Sequence, residues 1–178
     1  MRLKDKVSII TGAANGLGAK TAEIFAAQGA NVVVTDISEA PGQAVVRKIL
    51  DVGGQAEFRP LNVVKEADWK RVIEEVQFKY GTIDILVNNA AVSGSHPDRL
   101  NSETWDQQME VCARGSFLGM QSVIPIMQKA GQGSIVNVSS VSGLVGLPWI
   151  HMGYNAAKGA IRLATKAAAV QFTADGVR

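Results

Sequence analysis

One cysteine, Cys112, stands in the whole chain. That scarcity excludes an internal disulfide and any cysteine-clustered zinc site, and it suits a reducing compartment, with the cytoplasm as the default location. No other metal-ligand cluster is read from the sequence. Nowhere do about 18 apolar residues run together, so no membrane-spanning helix is expected. The N-terminal Met1-Arg2-Leu3-Lys4-Asp5-Lys6 leads directly into a short apolar strand instead of the about 7 to 15 apolar residues of a signal core, so export is not expected either. Charge of one sign is lacking too. Eighteen basic and sixteen acidic side chains leave a formal net charge of +2, too small and too scattered to track phosphates, which excludes nucleic acid as a partner. Repeats, linkers and biased tracts are absent. What remains is a folded composition, 47% hydrophobic and 19% charged over 178 residues, the size of one domain, with eighteen glycines as its most informative feature.

Residues 7–10, 31–35, 56–61, 83–87 and 134–138 are short, rich in β-branched side chains and mostly apolar. They read as strands buried on both faces. Helical stretches are expected between and after them at 17–28, 40–52, 67–80, 103–129 and 154–174. In the third, Trp69, Val72, Ile73 and Val76 recur at steps of three and four, the period of a helix packed on one face. Pro125 falls inside the fourth and predicts a local kink. Strict alternation of strand and helix predicts right-handed crossovers and a parallel sheet covered on both sides, a doubly wound α/β (Rossmann) fold.

The first strand runs into Thr11-Gly12-Ala13-Ala14-Asn15-Gly16-Leu17-Gly18 and then an apolar helix. Glycines at G-x-x-x-G-x-G permit the unusual φ of a tight strand-to-helix turn and let backbone N–H groups approach a pyrophosphate at the positive end of the helix. Gly12, Asn15, Gly16, Leu17 and Gly18 are therefore candidate cofactor contacts. A triphosphate-binding loop needs Lys directly after its last Gly, whereas Ala19 separates Gly18 from Lys20. The second strand ends in Asp36, eighteen residues beyond Gly18, near the spacing at which a carboxylate accepts bonds from an adenosine ribose and repels a 2′-phosphate. No Arg or Lys lies within the turn, so NAD is expected over NADP.

Tyr154 and Lys158 stand four apart on an expected helix and so share a face. A phenol titrates near pH 10, and bringing one about 3 units closer to neutrality corresponds to roughly 4 kcal/mol of preference for the phenolate, which a lysine and a cationic nicotinamide together supply. The order of Thr11 to Gly18, Asn88-Asn89-Ala90, Ser139-Ser140 and Tyr154 with Lys158 resembles the short-chain dehydrogenase/reductase family across essentially the whole chain. The resemblance implies reversible hydride transfer between a nicotinamide dinucleotide and an alcohol or ketone. It makes Tyr154 the general acid/base, Ser140 the donor to the substrate oxygen, and Lys158 the residue that binds the nicotinamide ribose and lowers the Tyr154 pKa. It gives Asn88 a supporting role in the central sheet, and it puts Asn62, Val63, Asn89 and Ala90 beside the cofactor. It also implies a homodimer or homotetramer, in keeping with a last helix whose alanines, Ile161, Leu163, Val170 and Phe172 leave little polar surface.

Several positions depart from the family pattern. Asn62 stands where Asp is usual, and Ala91 where Gly is. Ser140 precedes Tyr154 by 14 residues where 13 is common, which makes Ser142 the fallback for the serine role. Cys112 replaces an asparagine thought to hold a proton-relaying water. It is read as a buried helix cysteine, with an impaired relay as the expected consequence. His151 is read as a solvated or packing histidine, with substrate contact as the alternative. The chain stops at Arg178, before the strands, the Pro-Gly turn and the substrate-covering segment usual in the family, so a truncated protein with an exposed fifth strand is expected. A catalytically weak, oligomer-forming nucleotide-binding protein is the alternative function. A methyltransferase is disfavoured because it leaves Ser140, Tyr154 and Lys158 without a role. The sequence does not identify the alcohol or ketone.

Overall fold

The computed structural model describes residues 1–92 and 94–178. Five strands, β1 (Val7–Thr11), β2 (Asn31–Asp36), β3 (Gln55–Pro60), β4 (Ile85–Asn88) and β5 (Ser134–Asn137), form one parallel sheet in the order β3-β2-β1-β4-β5. The helices between them are α1 (Gly16–Ala27), α2 (Glu39–Asp51), α3 (Glu66–Tyr80), α4 (Ser102–Gln108) and α5 (Gly115–Ala130), and α6 (Met152–Phe172) follows β5. The doubly wound α/β fold expected from the alternation is the fold observed.

The pleat divides the core. Ile9, Val33 and Leu86 lie side by side in register and point to the face covered by Trp69 and Val72 of α3 and Val123 and Met127 of α5. Ile10, Val34 and Val87, one residue further along, point to the opposite face against Ala22 and Ala26 of α1 and Val45 and Ile49 of α2. Residues alternate faces along a strand, so a strand between two helical layers is buried at nearly every position and mostly apolar. That holds for β1, β2 and β4, where even Ser8, Thr11, Thr35 and Asn88 are buried. It fails for β3 and β5, whose residues are mostly half-buried because they lie at the sheet's edges. The expectation that all five strands are buried on both faces is corrected there. Truncating Leu86, wholly buried, to alanine would cost about 2–5 kcal/mol.

Two further expectations change. The helix predicted over 103–129 is α4, a π-helical segment at Met109–Arg114 and α5, joined end to end, and α5 continues past Pro125 to Ala130. The outer edge of β5 is also partly engaged: Ile135 N–H donates to the Arg178 carbonyl at 2.8 Å, Arg178 N–H to Gly133 at 3.1 Å, and Val177 is buried.

The site lies at the C-terminal end of the sheet, over its central strands. In a parallel sheet all C-terminal strand ends face the same way, and the connections leave in opposite directions from β1 and β4. The crevice at this switch point is bounded by Thr11 at the end of β1 and Asn88 at the end of β4.

Candidate active site

A clasp between β1 and β4 builds the floor. Thr11 Oγ1 accepts from the backbone N–H groups of Asn89 and Ala90, both at 3.0 Å, while the Asn89 side-chain amide donates to the carbonyls of Thr11 (2.9 Å) and Gly12 (3.0 Å). Two strand ends that would otherwise splay are thus tied by four hydrogen bonds. Gly12 is needed here twice over. Its φ is +62°, and a Cβ would lie 2.7 Å from the Ala90 backbone. Gly18 is needed for space, because a Cβ there would lie 2.6 Å from the Asn89 amide nitrogen.

Above this floor α1 begins without a side-chain cap. Asn15 occupies the N-cap position in extended conformation, its side chain makes no capping bond, and the first turn contains no acidic residue. Uncapped N–H groups at the positive end of a helix of twelve residues favour an anion. Asp36 borders the same space. Its Oδ2 accepts from Ala14 N–H at 3.1 Å and its Oδ1 from Ser38 N–H at 2.9 Å, which fixes the carboxylate while leaving each oxygen a further lone pair.

The other wall comes from α6. Tyr154 is half-buried and Lys158 buried, with the Lys158 ammonium 5.6 Å from the centre of the Tyr154 ring. Lys158 Nζ donates to the Val138 carbonyl at 2.7 Å, just beyond β5, and Ser139 Oγ donates to the Lys158 carbonyl at 2.8 Å. Burial pushes the Lys158 ammonium below the usual lysine range, and nearby Cys112 opposes a lesser part of that shift. Cys112 itself is fully buried within the π-helical segment, packed with Ala157 and Ile161. π-Helical turns recur at functional sites.

Ser140 caps a short 3-10 turn, its Oγ accepting from Ser142 N–H at 3.1 Å. Its own proton donates to no described residue. Ser142 is buried, so the two serines differ in access.

Floor, helix end and wall enclose a cleft of about 670 Å³. Gly12, Asn15, Leu17 and Asp36 line one end, Asn62, Val63, Asn89 and Ala90 the middle, and Tyr154 and Lys158 the other end. A sequence profile described as short chain dehydrogenase matches residues 6–178. The chain belongs to the short-chain dehydrogenase family. The cyclopentanol dehydrogenase of Comamonas sp. (strain NCIMB 9872) is 40% identical over 178 residues, covering 99% of this chain and 71% of that protein. The cyclohexanol dehydrogenase of Acinetobacter sp. (strain SE19) is 36% identical over 179 residues, with the same two coverages. The crystal structure of a short-chain dehydrogenase/reductase from Burkholderia xenovorans superposes with a TM-score of 0.95 at 32% identity, over 99% of this chain and 73% of that one.

Within this short-chain dehydrogenase the cleft gathers most of the sequence-derived candidates, and it leaves three outside its lining. Gly16 contributes a φ of +54° to the turn, Gly18 lies buried beneath it, and Ser140 is half-buried two residues after Val138, which does line the cleft. Asn62 accepts from Val64 N–H through its side-chain oxygen, leaving its amide hydrogens without a described partner. Of the two readings of His151 as a solvated or a packing histidine, the structure shows the packing one. His151 is buried at the N-terminus of α6 and its Nδ1 accepts from Gly153 N–H at 3.0 Å. Sequence reasoning missed the jobs of Thr11 and Ser139. Both are side-chain bonds to backbone between segments distant in the chain, and no spacing signals them.

Proposed function

We propose that this short-chain dehydrogenase transfers a hydride between NAD(H) and a secondary alcohol or its ketone, acting in the cytoplasm as a homodimer or homotetramer. The observation that carries the reading is one cleft, bordered at one end by the uncapped α1 N-terminus and Asp36 and at the other by Tyr154 and Lys158. The residues present fit a nicotinamide dinucleotide: two glycines whose Cβ atoms would fill the floor, free N–H groups for a pyrophosphate, and a fixed carboxylate for ribose hydroxyls. Asp36 favours NAD, because a carboxylate repels a 2′-phosphate. When bound, that group supplies the acceptor or donor of the hydride.

The chain's own residues then do the following. Ser140 offers its uncommitted O–H to the substrate oxygen. Tyr154 takes the alcohol proton during oxidation and returns it during reduction. Lys158 stabilises negative charge on the phenolic oxygen and binds ribose, held in place by the Val138 carbonyl. Cyclic secondary alcohols are the first substrates to test, because the Comamonas and Acinetobacter relatives are named for cyclopentanol and cyclohexanol. Support for self-association comes from α5 and α6, where Phe117, Leu163 and Val170 are exposed and an apolar groove of about 410 Å³ runs between the helices.

The test follows absorbance at 340 nm with NAD and a panel of cyclic and open-chain secondary alcohols, beside NADH fluorescence titration. Turnover that Tyr154→Phe abolishes while NADH still binds supports the proposal. NADH binding with no turnover of any alcohol or ketone rejects the enzyme reading in favour of a nucleotide-binding protein.

A further inference from the structure

His151 is buried, takes no part in the chemistry above, and joins the loop after β4 to the first turn of α6. Its backbone N–H donates to the Gly94 carbonyl at 2.8 Å, its Nδ1 accepts from Gly153 N–H at 3.0 Å, and its carbonyl accepts from Tyr154 N–H at 3.1 Å. Gly94 closes the circuit, since a Cβ there would lie 2.9 Å from Cγ of Tyr154. Its backbone therefore rests against the Tyr154 ring. One residue thus fixes both the start of α6 and the surface on which the tyrosine ring lies.

The imidazole does this as a particular tautomer. Because Gly153 N–H points at Nδ1, the neutral ring carries its proton on Nε2, and Nε2 is buried without a hydrogen-bond partner among the described residues. The His96 ring stands edge-on to it with centroids 6.3 Å apart. An unpartnered buried N–H weakens a fold, so an apolar side chain would suit the space better if packing were the only requirement. The acceptor at Nδ1 is what an apolar side chain lacks. In His and Asn alike the capping atom is bonded directly to Cγ, so Asn preserves the acceptor and discards the unpartnered donor.

We propose that His151, through Nδ1, is a positioning residue that holds Tyr154 against Gly94 in its productive orientation. The inference rests on Tyr154 being the acid/base of the proposed reaction. The capping itself is tested without that assumption.

Three proteins are compared as full-length chains: wild type, His151→Leu and His151→Asn. The expected result is that His151→Leu lowers kcat about tenfold or more while KM for NAD and NADH affinity change less than about twofold, and that His151→Asn recovers most of the loss. Nitrogen-15 spectra should show a protonated Nε2 and an unprotonated Nδ1 in wild type, with slow exchange of the Gly153 amide that Asn retains and Leu abolishes. Wild-type turnover by His151→Leu, or equal impairment of Asn and Leu, overturns the proposal, as does a protonated Nδ1. If wild type turns over no alcohol, the function fails, and slow Gly153 exchange kept by Asn and lost by Leu still supports His151 as the cap.

Discussion

Replacing Asn89 with Asp removes two donors without changing shape, so the outcome isolates hydrogen bonding from packing. The wild-type amide nitrogen donates to Thr11 at 2.9 Å and Gly12 at 3.0 Å. Each such bond contributes about 1 kcal/mol net, so truncation by Asn89→Ala should cost about 2 kcal/mol before any cavity forms. Asn89→Asp should cost more, about 3–4 kcal/mol, because a carboxylate oxygen then faces two carbonyl oxygens whose own partners are gone. For a protein of this size 1 kcal/mol shifts Tm by about 2–4 °C, so the Asp variant should melt roughly 6–16 °C below wild type. Urea unfolding at neutral pH supplies the free energies and NADH titration the functional readout. NADH affinity should fall in the same order, Ala then Asp, since the clasp sets the floor of the cleft. Lowering the pH should recover part of the Asp deficit as the carboxyl gains a proton and becomes a donor again. Asn89→Asp as stable as wild type, or more stable than Asn89→Ala, would refute the claim that the amide ties β1 to β4.

Asp36→Ala should weaken NADH binding by about tenfold, or about 1.4 kcal/mol, while leaving NADPH binding equal or improved. An unchanged preference between the two by fluorescence titration would exclude Asp36 as the selecting group. Lys158 is held below its usual range by burial, so between its folded and unfolded values the unfolded chain binds the extra proton. Its contribution to stability therefore rises with pH and is fully present only above about pH 10.4. Urea unfolding of wild type against Lys158→Met from pH 7 to 10 should show the difference moving in favour of wild type as pH rises, and a flat or opposite trend contradicts the burial argument. Light scattering should find a dimer or tetramer that Leu163→Glu with Val170→Glu dissociates, both positions being exposed on α6. A wild-type mass of 18.8 kDa across micromolar concentrations would remove the self-association proposal.

Much of this was legible because the physics is local. A strand between two helical layers is mostly apolar and β-branched, so Val7 to Thr11 and Val32 to Thr35 announce themselves, and the glycine turn and the Tyr154 to Lys158 spacing are short-range patterns. The misread features share a different cause. In β3, Glu57 and Arg59 alternate with Ala56 and Phe58, a two-residue period that marks an edge strand, and the charged pair is used by Arg59 to Glu57 at 3.1 Å and by Lys79 to Glu57 at 2.6 Å. The signal was present, and the apolar neighbours outweighed it. The π-helical segment around Cys112 left no such signal, because π and α helices share residue preferences and differ only in which carbonyl each N–H reaches.

The polar residues make the deeper point. Asn89 and Ser139 sit inside motifs that invite a purely chemical reading, yet their side chains bond to backbone, in the cradle and in α6. Lys158 does both, reaching the Val138 carbonyl from the cleft wall. A cleft whose cofactor end rests on β1 and β4 and whose tyrosine rests on α6 works only if the two supports stay in register. The side chains that hold each support in place must therefore be as exacting as those facing the substrate. On that argument a variant such as Ser139→Ala, whose hydroxyl is spent on the Lys158 carbonyl, should lower kcat by loosening the turn that carries Lys158, with NADH affinity left within about twofold of wild type.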